Sequence, residues 1–210
     1  LSDLSEIDYI EFEKQINYLA NNNDSPVRLL GSTWQVISKI DIWQRIAHNI
    51  TTAHLDRLEK VVKRVLPTIN PKFNLAPDER YLAGLKGIQP QYEDSIKQGL
   101  ADSLALLSEF GDDYSSQLGG KKPSELVDYW VMQLLNNNES LELWLSLSSC
   151  LGSIAEAAPD SFIKALEKAS KGDKPIISNI FQDTKQSSFS GCSHANILWA
   201  LESIAWNRSC

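Results

Sequence analysis

The residues of this chain that could do chemistry include a cysteine and a histidine one position apart. Cys192 and His194 lie where a polar loop runs into a predicted helix. A thiolate nucleophile needs a base that the fold places beside it, and closeness within a loop is weak support for such a pair. We interpret Ser193 as the cap of the final helix, with His194 in its first turn. The sequence therefore assigns no catalytic residue.

Two further patterns are typical of ligand sites but fail in detail. His48 and His54 fall on two different predicted helices, whereas a metal-binding pair on one helix is spaced by three or four residues. The stretch Gly119–Pro123 combines glycines and lysines, but it lacks the spacing of a phosphate-binding loop and no strand precedes it. The carboxylates are scattered, with no pair set in an apolar pocket. The sequence therefore predicts no metal site and no cofactor.

A basic helix face is the remaining candidate site. Arg57, Lys60 and Arg64 share a face at helical spacing, and Arg28 precedes them in a predicted hairpin. Such a patch could bind nucleic acid, although Asp56 dilutes it and a solvated helix face is the commoner explanation. The net charge of -7 and the pI near 5.0 disfavour broad contact with phosphate backbones.

The elements that would position these residues are mainly helices. Apolar residues recur at every third or fourth position, which indicates amphipathic helices packed on one another. The predicted helical segments are 4–21, a pair within 38–66, 78–86, 92–110, 124–135, 141–157, 161–169, 176–181 and 197–206. One β-hairpin is predicted over 27–37, with Gly31 supplying the positive φ of its turn.

Local signals predict how several helices begin and end. Ser2 or Asp3, Ser38 and Ser124 are expected to cap helix starts, and Gly111 is expected to end the long helix as a C-terminal cap residue. A kink is expected near Gly152. The tryptophans on helices are all expected to pack between helices: Trp43, Trp130, Trp144, Trp199 and Trp206.

These elements predict a mainly α fold, either an irregular helical bundle or a HEAT-like α-solenoid array. No fixed repeat period is visible. The glycine-rich break at 119–123 predicts two domains, an N-terminal helical subdomain over 1–120 with a winged-helix-like hairpin and a C-terminal array of helical pairs over 121–210.

Composition sets the expected compartment. An odd, sparse set of three cysteines argues against a disulfide framework and favours a reducing compartment. No apolar run reaches the roughly 20 residues that span a bilayer, and no signal peptide is visible. We therefore expect a cytoplasmic protein. The chain starts at Leu1, has Met132 as its sole methionine and ends close to a helical pattern, so we expect a piece of a longer chain.

Several short sequence segments together resemble the helical middle region of large bacterial multidomain proteins. Some of those proteins are similar to STAND-type NTPases linked to antiviral defence. These segments are residues 25–28 with Gly31 and Trp34, then 41–43, 100–107, 155–162 and 198–206. The resemblance implies a helical region that follows or supports an NTPase or effector domain. No Walker A motif occurs, so the resemblance transfers no catalytic residue.

The leading hypothesis is a non-catalytic helical scaffold or sensor segment that binds protein, either in its own parent chain or in a partner. The alternative is a winged-helix-like nucleic-acid-binding module using Arg28, Arg57, Lys60 and Arg64, since the order of helix, hairpin and helices resembles that module. An enzyme using Cys192 or His194 is the third and weakest hypothesis.

Overall fold

The structure is a computed structural model that describes residues 4, 6–21, 24–136, 140–172, 175–182 and 193–207. It confirms the predicted fold class, because the chain is mainly helical with one small antiparallel hairpin near the N-terminus. The elements are α1 (Tyr9–Ala20), β1 (Val27–Leu30), β2 (Thr33–Val36), α2 (Lys39–Ile46), α3 (Thr52–Val65), α4 (Asp94–Phe110), α5 (Pro123–Asn136), α6 (Leu141–Ser146), α7 (Leu151–Ala157), α8 (Pro159–Ala169), α9 (Ile176–Gln182) and α10 (Ser193–Asn207).

The chain divides into two compact units. Unit 1 contains residues 1–61 and 113–122, and unit 2 contains residues 62–112 and 123–210. Both units are discontinuous in sequence, so they do not follow the linear division at residue 120. The division into 1–120 and 121–210 stays a prediction.

In unit 1, the hairpin forms where the sequence predicts it. Leu30 pairs with Thr33 across a two-residue turn, and the register continues to Val27 opposite Val36. Gly31 has a φ of 64°, a left-handed conformation that glycine adopts without the steric penalty of a side chain. The sequence signal for this hairpin was therefore its turn chemistry.

Helix α1 starts later than predicted. The sequence predicts a helix from residue 4, but Glu6 has a φ of 58° and the regular helix begins at Tyr9. Asp8 caps it, because its Oδ1 accepts a hydrogen bond of 2.9 Å from the backbone N–H of Ile10. The expected caps, Ser2 and Asp3, lie outside the described residues.

Unit 2 is built around the short helix α7, which contacts α4, α5, α8 and α10. Leu151, Ile154, Ala155 and Ala157 are buried on it. The predicted helix over 141–157 breaks at a 3-10 turn, Ser148–Cys150, rather than at Gly152. The predicted helix over 78–86 is also wrong, because a 3-10 run occupies Pro77–Leu82.

Gly111 ends α4 as the predicted C-terminal cap residue, and its backbone N–H donates to the carbonyl of Leu107. Its φ is -72°, so it is not left-handed, and the chain continues into a 3-10 turn. A Cβ atom at this position would lie 2.7 Å from Cβ of Pro123, so close packing explains the glycine.

The cap of α5 also differs from the prediction. Asp112 takes this role, since its carboxylate accepts hydrogen bonds from the backbone N–H of Ser124 at 3.0 Å and from its hydroxyl at 2.7 Å. The predicted cap, Ser124, is instead a donor to Asp112. The Ser38 prediction is confirmed, because its hydroxyl accepts from the N–H of Asp41.

The tryptophan prediction is confirmed for three side chains and wrong for two. Trp43, Trp130 and Trp144 are buried, and the Trp144 ring meets Phe162 edge-on at 6.0 Å. Trp199 and Trp206 on α10 are 63% and 70% exposed. Periodicity identifies which residues share a face but cannot say whether another element covers that face.

Candidate functional site

A lysine is buried inside unit 2. Lys97 on α4 is 3% exposed, and its Nζ donates hydrogen bonds to the backbone carbonyls of Thr68 and, at 3.5 Å, Ser146. Burial lowers the pKa of Lys97, and the nearby Cys150 and Asp94 partly offset that effect. A lysine with a lowered pKa can act as a base or nucleophile elsewhere, but here both hydrogen bonds tie it to backbone.

The thiol beside this lysine is held protonated. Burial raises the pKa of Cys150 to about 12, against the opposing influence of the Lys97 charge. Its Sγ donates to the carbonyl of Leu147 at 3.3 Å. A neutral buried thiol is a poor nucleophile, so the lysine and cysteine together form a structural cluster. Sequence reasoning missed it, since no local pattern marks Lys97 as buried.

A serine–carboxylate contact joins α4 to α7. Ser153 donates its hydroxyl to Asp102 Oδ1 at 2.7 Å, while Gln98 Nε2 donates to both side chains at 2.8 and 2.9 Å. A serine nucleophile needs a base that removes its proton and an open path to substrate. The Gln98 amide occupies the serine oxygen instead. The contact is therefore a tie between two helices.

The predicted basic residues occupy different surroundings. Arg57 is drawn into an ion pair, with Nη1 2.6 Å from Glu6 Oε1 and its side chain 17% exposed. Arg28 and Lys60 are exposed in unit 1, and Arg64 is exposed in unit 2. Pairing with Glu6 leaves Arg57 little freedom to meet a phosphate. Binding through these four residues stays a prediction.

The histidines in the described segments have local structural roles. Nδ1 of His54 accepts a hydrogen bond of 3.1 Å from the backbone N–H of Thr51 and lies 2.8 Å from the Thr51 hydroxyl. This contact satisfies a free donor at the start of α3. Nε2 of His48 lies 3.1 Å from the side-chain amide of Asn49. Within the described ranges, no three histidine, cysteine or acidic side chains are grouped as metal ligands.

Two predicted loop features have different outcomes. Gly119 and Gly120 have φ values of 67° and 79°, so this segment is a turn. Next to it, Nζ of Lys121 lies 3.8 Å from Oδ1 of Asp56, which forms an ion pair. Cys192 lies outside the described residues. His194 falls in the first turn of α10, as expected.

Unit 1 exposes large apolar side chains around its hairpin. Five large side chains in and just after the hairpin are about half exposed, and we call them the hairpin surface: Leu29, Leu30, Val36, Ile37 and Ile40. Leu29 and Val36 lie on one face of the hairpin, while Leu30 lies on the other, because side chains alternate along a strand. Neither face of this two-stranded sheet is fully covered among the described residues.

Helix α1 also exposes large apolar and aromatic side chains. It contacts β1, yet none of its residues is buried. Tyr9, Ile10 and Tyr18 are at least half exposed. An isolated two-stranded hairpin is at best marginally stable in water, so its exposed apolar faces favour contact with another protein surface.

The described residues include no helix that is both long and apolar enough to cross a membrane. Comparison with known proteins finds no family model that matches the chain, and no curated protein or solved structure that is significantly similar to it.

Proposed function

We propose that this chain is a non-catalytic helical scaffold that binds protein through the hairpin surface. The observation that carries the proposal is the two-sided exposure of apolar side chains on a two-stranded sheet, with Leu30 48% and Val36 53% exposed. Monomeric proteins rarely leave contiguous apolar patches open unless a partner covers them. The polar clusters of unit 2 support the same proposal, because Lys97 and Ser153 are tied to neighbouring groups.

The hairpin surface is a better candidate than the exposed face of α10. Residues 24–136 are described without interruption, so the surroundings of the hairpin along the chain are known. Helix α10 is flanked on both sides by residues outside the described part. Its exposed tryptophans, Trp199 and Trp206, therefore carry less weight than the hairpin.

The scaffold role agrees with the resemblance to helical regions of STAND-type proteins, which stays a prediction. The cytoplasmic location also stays a prediction. Nucleic-acid binding is the weaker alternative, since Arg57 is already paired with Glu6.

The proposal can be tested by affinity capture with matched variants. The immobilised full chain, a Leu30→Asp variant and a Leu85→Asp variant would be exposed to the same cell lysate, and bound proteins identified by mass spectrometry. Leu85 is 87% exposed in unit 2, so its substitution makes the same chemical change far from the hairpin in sequence.

We expect a defined set of proteins to be retained by the wild type and by Leu85→Asp but lost with Leu30→Asp. Circular dichroism would establish that both variants keep their helical content. Identical capture by all three chains would contradict the proposed role of the hairpin surface.

A further inference from the structure

The two outer edges of the hairpin are not equivalent. On β1, the hydroxyl of Ser25 accepts the backbone N–H of Val27 at 3.2 Å and donates to its carbonyl at 2.8 Å. Helix α1 also contacts this strand. The outer edge of β1 is therefore capped at Val27 by a side chain of its own chain.

The outer edge of β2 has no such cap. In a hairpin with a two-residue turn, paired residues alternate between hydrogen-bonded and non-hydrogen-bonded pairs. Leu30–Thr33 is hydrogen-bonded, and the bond of 2.7 Å from the N–H of Ile37 to the carbonyl of Pro26 confirms this phase. The backbone groups of Trp34 and Val36 consequently point away from β1.

These outward groups are ready to pair with another strand. Within the described segments, no hydrogen bond other than those of the hairpin involves the backbone of Trp34 or Val36. Strand β2 also lacks the features that usually protect an edge, because its sequence Thr-Trp-Gln-Val contains no charge and no proline. An extended, uncharged strand is the partner that this edge fits.

We propose that β2 pairs antiparallel with β2 of a second copy of this chain. The inference rests on the proposed function, since it identifies a second copy as one of the proteins that the hairpin binds. One register uses all of the outward groups: Trp34 of each copy opposite Val36 of the other, with Gln35 opposite Gln35 on the two-fold axis.

Side chains in this register are self-complementary. Val27, Leu29, Trp34 and Val36 share one face of the hairpin. Pairing across the two-fold axis joins these side chains into apolar rows that cross all four strands. Each row runs from Leu29 and Trp34 of one copy to Val36 and Val27 of the other. Aromatic and β-branched side chains form favourable cross-strand pairs, and no like charges face each other.

We expect this pairing to stop at a dimer and to have low affinity. An edge of this length buries well under the ~1,200 Å² of a standard stable interface, so we expect a dissociation constant on the order of 100 µM. Ser25 caps the other edge at Val27 and helix α1 contacts β1, so we expect the sheet to stop growing once two copies have joined.

Gln35 provides a sharp test because the two-fold axis places it against itself. The Gln35→Lys and Gln35→Glu variants would each be studied by sedimentation equilibrium, alone and mixed in equal amounts, over concentrations spanning the expected dissociation constant. Gln15→Lys is the matched control, since Gln15 is exposed on α1. We expect each Gln35 variant alone to dimerise on the order of tenfold more weakly than the wild type.

The mixture of Gln35→Lys with Gln35→Glu should recover dimerisation, because opposite charges then meet on the axis. Gln15→Lys should dimerise like the wild type. A wild type that stays monomeric throughout, assemblies larger than two copies, or a mixture that fails to recover would overturn the pairing. None of these results would alter the set of other proteins captured through Leu30, so the proposed function is tested separately.

Discussion

At the scale of single residues, the polar groups inside unit 2 hold backbone segments in place. Lys97 crosses from α4 to the carbonyls of Thr68 and Ser146, and the hydroxyl of Ser146 accepts the N–H of Asn70 at 2.9 Å. These contacts join residues far apart in sequence. No local pattern could predict them, because a lysine flanked by Ile96 and Gln98 looks like any surface lysine on a helix.

Removing the lysine charge should destabilise the fold. We expect Lys97→Met to lower the free energy of unfolding by about 1–3 kcal/mol, because two buried carbonyls lose their donor. Lys14→Met is the control, since Lys14 forms only an exposed pair with Glu11 and should change stability by less than about 0.5 kcal/mol. Urea denaturation measures both values. Equal stabilities of the two variants would show that Lys97 does not hold these segments.

The thiol of Cys150 predicts a pH dependence with a defined sign. Its pKa rises from 9.0 to about 12 on folding, so above pH 9.0 the unfolded state releases a proton that the folded state keeps. The stability contributed by this group is complete below pH 9.0 and is lost as pH rises toward 12, with a slope of at most about 1.4 kcal/mol per pH unit.

Comparison with Cys150→Ala isolates this effect from other groups that titrate at high pH. We expect the wild type to be more stable than the variant at pH 8, because alanine leaves a cavity, and the difference to shrink as pH rises from 9 to 11. Urea denaturation across this range provides the measurement. A stability difference independent of pH would contradict the raised pKa.

At the scale of elements, sequence patterns predicted the existence of helices better than their ends. The hairpin was predictable because Gly31 and Ser32 separate two β-rich runs, and α4 was predictable from its apolar spacing. The cap of α5 was not predictable, since it comes from Asp112, twelve residues before Ser124. The exposed tryptophans of α10 were missed because periodicity does not report whether a neighbour covers a face.

Two glycines on or beside the long helix α4 should respond oppositely to alanine. At Gly111 a Cβ would lie 2.7 Å from Pro123 Cβ, so Gly111→Ala should destabilise the fold by about 1–3 kcal/mol. At Gly99, within α4, no atom lies within 4 Å of the added Cβ, and Gly99→Ala should stabilise it by about 0.5–1 kcal/mol. Thermal unfolding of both variants tests this. A stabilising Gly111→Ala would remove the packing explanation.

At the scale of the whole molecule, the chain combines a net charge of -7 with an apolar surface on unit 1. The acidic composition predicts that nucleic acid is a disfavoured partner. It could not locate the hairpin surface, because exposure depends on which elements pack over a residue. It also could not reveal the uncapped edge of β2, which depends on hydrogen-bond phase within the hairpin.

Charge therefore gives a prediction for nucleic acid. We expect fluorescence anisotropy with labelled duplex and single-stranded DNA to give no affinity tighter than about 10⁻⁴ M at physiological salt. Joint reversal of Arg57 and Arg64 to Glu should leave that result unchanged, since Arg57 already pairs with Glu6. Tight binding that falls with rising salt and disappears on this reversal would instead support the winged-helix-like alternative.

The central claim is that the hairpin is where this chain meets protein, and amide hydrogen exchange followed by NMR tests it most directly. The exchange of each backbone N–H in the full chain would be measured at low and high protein concentration, and again with a protein captured through Leu30. On self-pairing, we expect new protection at Trp34 and Val36, whose N–H groups point away from β1. When the captured protein binds, we expect protection confined to residues 27–40. Unchanged exchange throughout this segment, with new protection elsewhere in the chain, would contradict the central claim.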